Sequence, residues 1–84
     1  MSEEIIGTVS DFFAHPVVAG TELTAALKIG DKILIRGHTT DLEMTVDSIQ
    51  IDNAQVTEAK AGDSIGVKVT DRVRSEDSVY KITD

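Results

Sequence analysis

Short runs in which apolar and polar residues alternate constrain this chain more than any other feature of its sequence. Leu42, Met44 and Val46 alternate with acidic and hydroxyl side chains, a period of two that places one set on each face of a β-strand. Ile33 and Ile35 alternate in the same way, so one face is expected to be buried and the other mostly solvated. No window has a helical period over several turns. The sequence therefore predicts an all-β protein.

Similar patterns predict the remaining strands. Ile5–Phe13 and Val17–Leu23 indicate two strands that meet around Ala14-His15-Pro16, where proline cannot donate to a ladder and favours a bend. Ile65–Val69 and Val79–Ile82 indicate two more. Together these segments predict about six or seven strands.

The alternation changes parity once. After Val46 the apolar residues stand at odd positions, Ile49 and Ile51. An extra residue near Asp47-Ser48 would keep both sets inside, so we predict a β-bulge there.

The size of the chain limits its core. Its 84 residues fit one domain, residues 1–84, with a core of Val, Ile and Leu because only three residues are aromatic. Short strands and frequent turns favour a small closed β-barrel, since closure removes exposed strand edges.

Two copies of Gly-Asp stand directly before predicted strands. They are Gly30-Asp31 and Gly62-Asp63. Glycine can adopt positive φ at a tight turn and aspartate can hydrogen-bond the nearby backbone, so we predict the same structural turn twice.

Composition excludes several functions. The chain has no cysteine, which rules out disulfides, thiolate zinc sites and thiol catalysis. A formal charge of −7 disfavours nonspecific binding to polyanions, DNA included. Neither a signal peptide nor a membrane-spanning stretch is recognisable. We expect a cytoplasmic protein without membrane contact.

Catalytic and metal-binding patterns are also missing. His15 and His38 are the two histidines, and turn histidines exposed to water explain them better than a metal site, since no His-x-His spacing is present. There is no nucleophile elbow. We predict no enzyme activity, no catalytic residue, no metal and no cofactor.

One predicted loop offers several hydrogen-bond donors. Arg36, His38 and Thr39 lie in the segment from Arg36 to Asp41, and loops on rigid sheets often carry function. An equally weighted alternative is that Gly37 makes the turn while the polar side chains bond the local backbone.

A second candidate is a basic strip. Lys68, Arg72 and Arg74 share even parity beyond the Ile65 strand and would suit phosphate or an acidic partner. The alternative, which we favour slightly, is ion pairing within the chain. Surface pairs of that kind contribute under about 1 kcal/mol. The carboxylates available for it are Asp71, Glu76, Asp77, Glu43 and Asp47.

The order of these motifs resembles the second domain of elongation factor Tu and its relatives, and small stand-alone elongation-factor-like proteins. The similarity covers roughly Gly7 to Val69. It rests on Gly7-Thr8-Val9, Ala19-Gly20, Leu27-Lys28-Ile29-Gly30-Asp31, Val46-Asp47-Ser48-Ile49-Gln50-Ile51 and Ala59-Lys60-Ala61-Gly62-Asp63-Ser64-Ile65-Gly66-Val67.

The resemblance implies a Greek-key β-barrel that, in the GTPases, helps to hold the aminoacylated end of transfer RNA. Gln50 stands where that family has an acidic residue, Asp52-Asn53 stand at its basic pair, and Glu58 matches it. No G-x-x-x-x-G-K-[ST] loop is present, so GTP binding is not expected.

The sequence therefore predicts a non-catalytic binding module associated with RNA, the ribosome or a translation-related protein. The alternative is a protein-interaction module or accessory subunit of a larger RNA-modifying or peptidase-like enzyme, without direct RNA contact. The candidate partner-binding residues are Arg36, His38, Thr39, Gln50, Glu58, Lys68, Arg72 and Arg74.

Overall fold

In a computed structural model, which describes residues 2–14 and 17–83, those residues form ten β-strands and no helix. The all-β prediction is confirmed. The predicted count of about six or seven strands is wrong, because several strands have only two or three residues. The strands are β1 (Ser2–Ala14), β2 (Val17–Leu23), β3 (Leu27–Lys28), β4 (Lys32–Arg36), β5 (Asp41–Thr45), β6 (Ile49–Ile51), β7 (Ala54–Val56), β8 (Glu58–Ala59), β9 (Ser64–Lys68) and β10 (Ser78–Thr83).

Eight strands form one antiparallel sheet in the order β5-β4-β10-β1-β2-β9-β6-β7, and β3 pairs with β8. Strand β1 pairs with β10 through its first half and with β2 through its second half. Register shifts between Ile5 and Gly7, and between Val9 and Asp11, interrupt these ladders. Such irregularities bend a strand, which lets β1 curve over the core.

The predicted closure of the barrel is wrong. Within residues 2–14 and 17–83, β5 and β7 are edge strands of the sheet and do not pair with each other. Strands β7 and β8 have too little backbone to form a ladder along β5. The turn after β3 bridges the two sides instead. The Gly30 amide donates to the Val46 carbonyl oxygen (2.8 Å), and the Ile29 amide to that of Thr57 (3.0 Å).

The predicted bulge at Asp47-Ser48 is also wrong. Strand β5 pairs with β4, whereas β6 pairs with β7 and β9 on the far side of the sheet. Val46 and Ile49 are both buried, so the change of parity marks a crossover between two strands. The bend predicted around Ala14-His15-Pro16 includes His15 and Pro16, which lie outside the described residues.

The core is aliphatic, as predicted. No buried aromatic side chain belongs to it among the residues that the structure describes, and Phe12 packs against its border. The largest side chains that are almost fully enclosed are Ile6, Leu27, Ile33, Ile35 and Ile49. In the described part of the chain no helix has the length and apolarity needed to cross a membrane.

Candidate functional site

A groove crosses the outer face of β2, β9 and β6. Its floor contains Gly20, Gly66 and Gln50, which are paired neighbours on the three strands. The two glycines leave the backbone uncovered, because the residues on either side of each point into the core. The resulting space has a volume of ≈ 600 Å³. We call it the glycine groove.

Apolar side chains and a tight turn border this groove. Phe13 is 54% exposed and lines it together with Val18 and the Asp52-Asn53 turn between β6 and β7. Both turn residues have positive φ, 51° and 65°, as the two-residue turns that match strand twist require. Gln50, Val18 and Gly66 also line a neighbouring depression that reaches Lys68, so the groove continues along the sheet.

Carboxylates dominate the charge around the glycine groove. Glu22, on the outer side of β2, accepts a hydrogen bond from the Ser64 hydroxyl (2.6 Å). Asp52 and Asp47 line the groove and its extension, where Lys68 is the basic residue among the lining side chains of the described chain. This balance disfavours the approach of a polyanion.

The predicted loop is the hairpin turn between β4 and β5. The Gly37 amide donates to the Thr40 carbonyl oxygen (2.8 Å), and His38 and Thr39 are exposed at the tip. A Cβ atom at Gly37 would collide with the carboxylate of Asp77. That carboxylate accepts a hydrogen bond from the Arg74 amide (2.8 Å). Gly37 therefore allows the hairpin to pack against the turn before β10.

The three residues of the predicted basic strip, Lys68, Arg72 and Arg74, have exposed side chains, and the strip itself stays a prediction. Strand β9 ends at Lys68, and Arg72 and Arg74 lie in the following loop. No ion pair within residues 2–14 and 17–83 involves these three side chains. Asp71 and Asp77 instead accept hydrogen bonds from backbone amides of the loop. Intramolecular pairing, the alternative that we favoured, is therefore not observed.

The two Gly-Asp turns have the same geometry. Gly30 and Gly62 have φ values of 98° and 94°. Asp31 and Asp63 each accept a hydrogen bond, 3.0 Å long, from the amide three residues earlier. Asp31 also contacts the Lys81 ammonium (3.7 Å).

The structure divides the predicted site residues among separate places. Gln50 and Lys68 line the glycine groove and its extension. Arg36 precedes the hairpin turn in which Gly37 lies next to Asp77, and the backbone amide of Arg74 donates to the Asp77 carboxylate. Glu58 pairs with Lys28 in the small β3–β8 ladder.

Sequence reasoning missed a second surface on the outer face of β1, β10 and β4. Ile5 pairs with Tyr80, and Tyr80 pairs with Leu34, so the three form one row across the strands. Ile82 stands in the next row, two residues along β10 from Tyr80. We call these four residues the apolar face.

Leu34 is the unexpected member of the apolar face. It stands between the core residues Ile33 and Ile35 and so points outward, yet it is only 5% exposed. It lies outside the core cluster. The prediction that this side of β4 is mostly solvated is therefore wrong at Leu34. Ile5 remains 52% exposed.

Sequence reasoning did not identify Gly20 and Gly66 as residues of a site, although their positions in the sequence could have indicated the groove. Each is a glycine at an outward position in an alternating strand, where a side chain would normally stand.

In the part of the chain that the structure describes, no group of three or more His, Asp or Glu side chains could hold a metal ion.

One small domain of known structure has nearly the same fold as this chain. The chain superimposes on the C-terminal domain of a U32 peptidase-type protein from Geobacillus thermoleovorans with a TM-score of 0.88, 14% identity, and coverage of 95% of this chain and 93% of that one. The fold is that of the U32 C-terminal domain. A selenomethionine variant of the same domain gives a TM-score of 0.85.

A curated sequence shares much more identity with this chain. The chain is 45% identical over 80 residues to an uncharacterized protease of Methanocaldococcus jannaschii. The matched region is 94% of this chain but 20% of that protein, so the chain spans about a fifth of the relative's length. No protein-family model matches the chain.

The resemblance to translation factors is confirmed only for the fold. GDP-bound aIF5B of Aeropyrum pernix gives a TM-score of 0.62 at 16% identity, over 94% of this chain and 14% of the factor. The U32 domain is the better structural match.

Proposed function

We propose that this chain is a non-catalytic accessory module that works with a peptidase-like enzyme by binding protein. One observation carries the proposal: nearly the whole chain matches about a fifth of a protein named as a protease. The domain with the same fold in the Geobacillus protein is likewise one part of a larger molecule. A unit of this kind supplies binding or positioning, and the remainder of the enzyme supplies chemistry.

The local chemistry is consistent with a binding role. The described side chains that line the glycine groove include two amides, one hydroxyl, one carboxylate and one aromatic ring, without a histidine that would act as a base near neutral pH. A metal cluster is absent from the same described residues. Catalysis by this chain alone is therefore not part of the proposal.

RNA association is the competing hypothesis. Its support is the fold shared with aIF5B and the exposed side chains of Arg36, Arg72 and Arg74. Between residues 68 and 77, however, Lys68, Arg72 and Arg74 are balanced by three carboxylates, Asp71, Glu76 and Asp77. A balanced segment provides little of the counterion release that drives RNA binding.

The test compares protein and RNA as partners of the purified chain. The chain is immobilised, and the peptidase-like protein from the same organism is added in one experiment and total transfer and ribosomal RNA in another. We expect the protein to bind with a Kd of about 10 µM or tighter. We expect RNA to bind more weakly at about 50 mM salt, and not measurably at about 200 mM.

The control uses two charge-matched double variants. Arg72→Ala with Arg74→Ala removes two positive charges from the loop, and Lys28→Ala with Lys60→Ala removes two from the Gly-Asp turns. Tight RNA binding that only the arginine variant abolishes would overturn the accessory proposal in favour of RNA. Absence of protein binding would also overturn it, and so would peptidase turnover by the chain alone.

A further inference from the structure

We propose that the apolar face is the surface by which this chain docks onto the body of the peptidase-like protein. The inference rests on the proposed function and names the surface and the partner. The apolar face consists of Ile5, Leu34, Tyr80 and Ile82, and its partner is a protein surface with an apolar centre.

The packing of the apolar face supports a dry interface. Leu34 is buried outside the core cluster, between its paired neighbours Tyr80 and Glu43 on the flanking strands. Tyr80 is partly covered by Arg36, whose guanidinium carbon lies 5.6 Å from the ring centroid. Ile5 extends this apolar row and is left 52% exposed. Such an arrangement gives a partner a preformed apolar surface with one protruding side chain.

Two ion pairs within the chain lie beside the apolar face. Arg36 contacts Glu3 at 3.5 Å, and Lys32 contacts Glu43 at 3.7 Å. Asp41, the strand partner of Arg36 on β5, adds one exposed carboxylate to these two ion pairs. This rim does not attract a polyanion or a strongly charged surface, and it suits the polar border of a protein–protein interface.

The position of the outer ends of β1 and β10 indicates where a larger body would be. Ser2 pairs with Thr83, and their hydroxyl oxygens are 2.7 Å apart. The adjacent pair is Glu3 with Ile82, which belongs to the apolar face. In the Geobacillus protein this fold is the C-terminal domain, so the preceding part of that protein joins at the start of the equivalent first strand. A body joined there lies beside the apolar face.

The experiment uses two side chains that are almost equally exposed on different surfaces. Ile5 (52% exposed) lies on the apolar face and Phe13 (54% exposed) on the glycine groove. We would measure binding of the peptidase-like protein from the same organism to wild type, Ile5→Asp and Phe13→Asp, after checking the fold of each by circular dichroism. Ile5→Asp is expected to weaken binding by about 30-fold, as loss of an interface hot spot does. Ile29→Asp, measured alongside them, is the control, because Ile29 is 41% exposed and belongs to neither surface; it is expected to change binding by less than about twofold. Phe13→Asp tests the glycine groove as the other docking surface and is expected to weaken binding much less than Ile5→Asp.

The outcomes separate failure of this inference from failure of the proposed function. If Phe13→Asp weakens binding and Ile5→Asp does not, the docking surface is wrong while the accessory function stands. If wild type does not bind the peptidase-like protein at all, the proposed function fails. Sedimentation of wild type as a dimer that Ile5→Asp converts to a monomer would assign the apolar face to a second copy of the chain. That result would overturn the partner named here.

Discussion

The glycine groove and the apolar face lie on the outside of the same sheet, and β1 contributes to both. Each has one large apolar side chain that is about half exposed, Phe13 and Ile5. The two surfaces differ in the residues that lie next to that side chain. The floor of the groove has Gly20 and Gly66, whereas the apolar face has a buried leucine, Leu34, beside Tyr80. Exposure of a single side chain therefore does not distinguish an open binding groove from a filled packing surface.

The two surfaces also differ in the charged residues at their borders. The groove and its extension are bordered by carboxylates with one lysine, while two ion pairs and Asp41 border the apolar face. A concave groove with both apolar and hydrogen-bonding side chains suits a small or extended ligand. A filled apolar face with ion pairs at its border suits a folded protein. The comparison thus assigns different kinds of contact to the two sides of one small sheet.

The largest expected difference in stability is between Leu34→Ala and Val18→Ala. Leu34 is buried on the apolar face, so its truncation should lower the free energy of unfolding by about 2–3 kcal/mol. Val18 lies partly exposed beside the groove, and its truncation should cost less than about 1 kcal/mol. Urea unfolding of both variants measures these values. Equal losses would mean that the apolar face is no better packed than the groove.

A smaller effect is expected for Arg36→Ala. The arginine covers Tyr80 and pairs with Glu3, but about half of its side chain is exposed, so the loss should be about 1 kcal/mol or less. The chain has one tyrosine and no tryptophan, so tyrosine fluorescence reports on Tyr80 directly. Acrylamide quenching should increase in Arg36→Ala and stay unchanged in the control Arg72→Ala. Unchanged quenching in both would contradict the proposed covering of the ring.

The smallest effect is expected for Gly66→Ala in the floor of the groove. A Cβ atom there would lie 3.2 Å from a methyl group of the partly exposed Val18, which can move slightly, so stability should change by about 0.5 kcal/mol or less. Gly7→Ala is the matched control, since its Cβ would lie 2.6 Å from the Glu22 carbonyl oxygen. It should destabilise by about 2 kcal/mol. Similar thermal unfolding of the two variants would show that the groove is less open than described.

The sequence predicts well those features that depend on neighbours along the chain. Ile33 and Ile35 are buried in β4, and both Gly-Asp copies adopt positive φ with an aspartate bonded to the backbone. Each depends on a few consecutive residues. The crossover after Val46 could not be distinguished from a bulge, because the same parity change fits both until the pairing partners are known.

Features made by distant residues could not be predicted in this way. Leu34 is buried on the outer face because strands from opposite ends of the sequence place Ile5 and Tyr80 in its row. The glycine groove arises where Gly20 meets Gly66 across two strands. Read singly, each glycine indicates only a turn, a bulge or a close approach. The prediction of a closed barrel is wrong for the same reason, since closure depends on whether two distant edge strands pair with each other.

The central position of β10 affects how the sheet can assemble. Although β10 is the last described strand along the chain, it lies in the sheet between β1 and β4. On one side of β10 are β4 and β5, and on the other side are β1, β2, β9, β6 and β7. During synthesis these two groups of strands cannot form one sheet until β10 has left the ribosome and pairs with both. Pairings between such distant segments also make folding slow. Until then Leu34 and Ile5, which the completed sheet brings into one row, are available to chaperones or to aggregation.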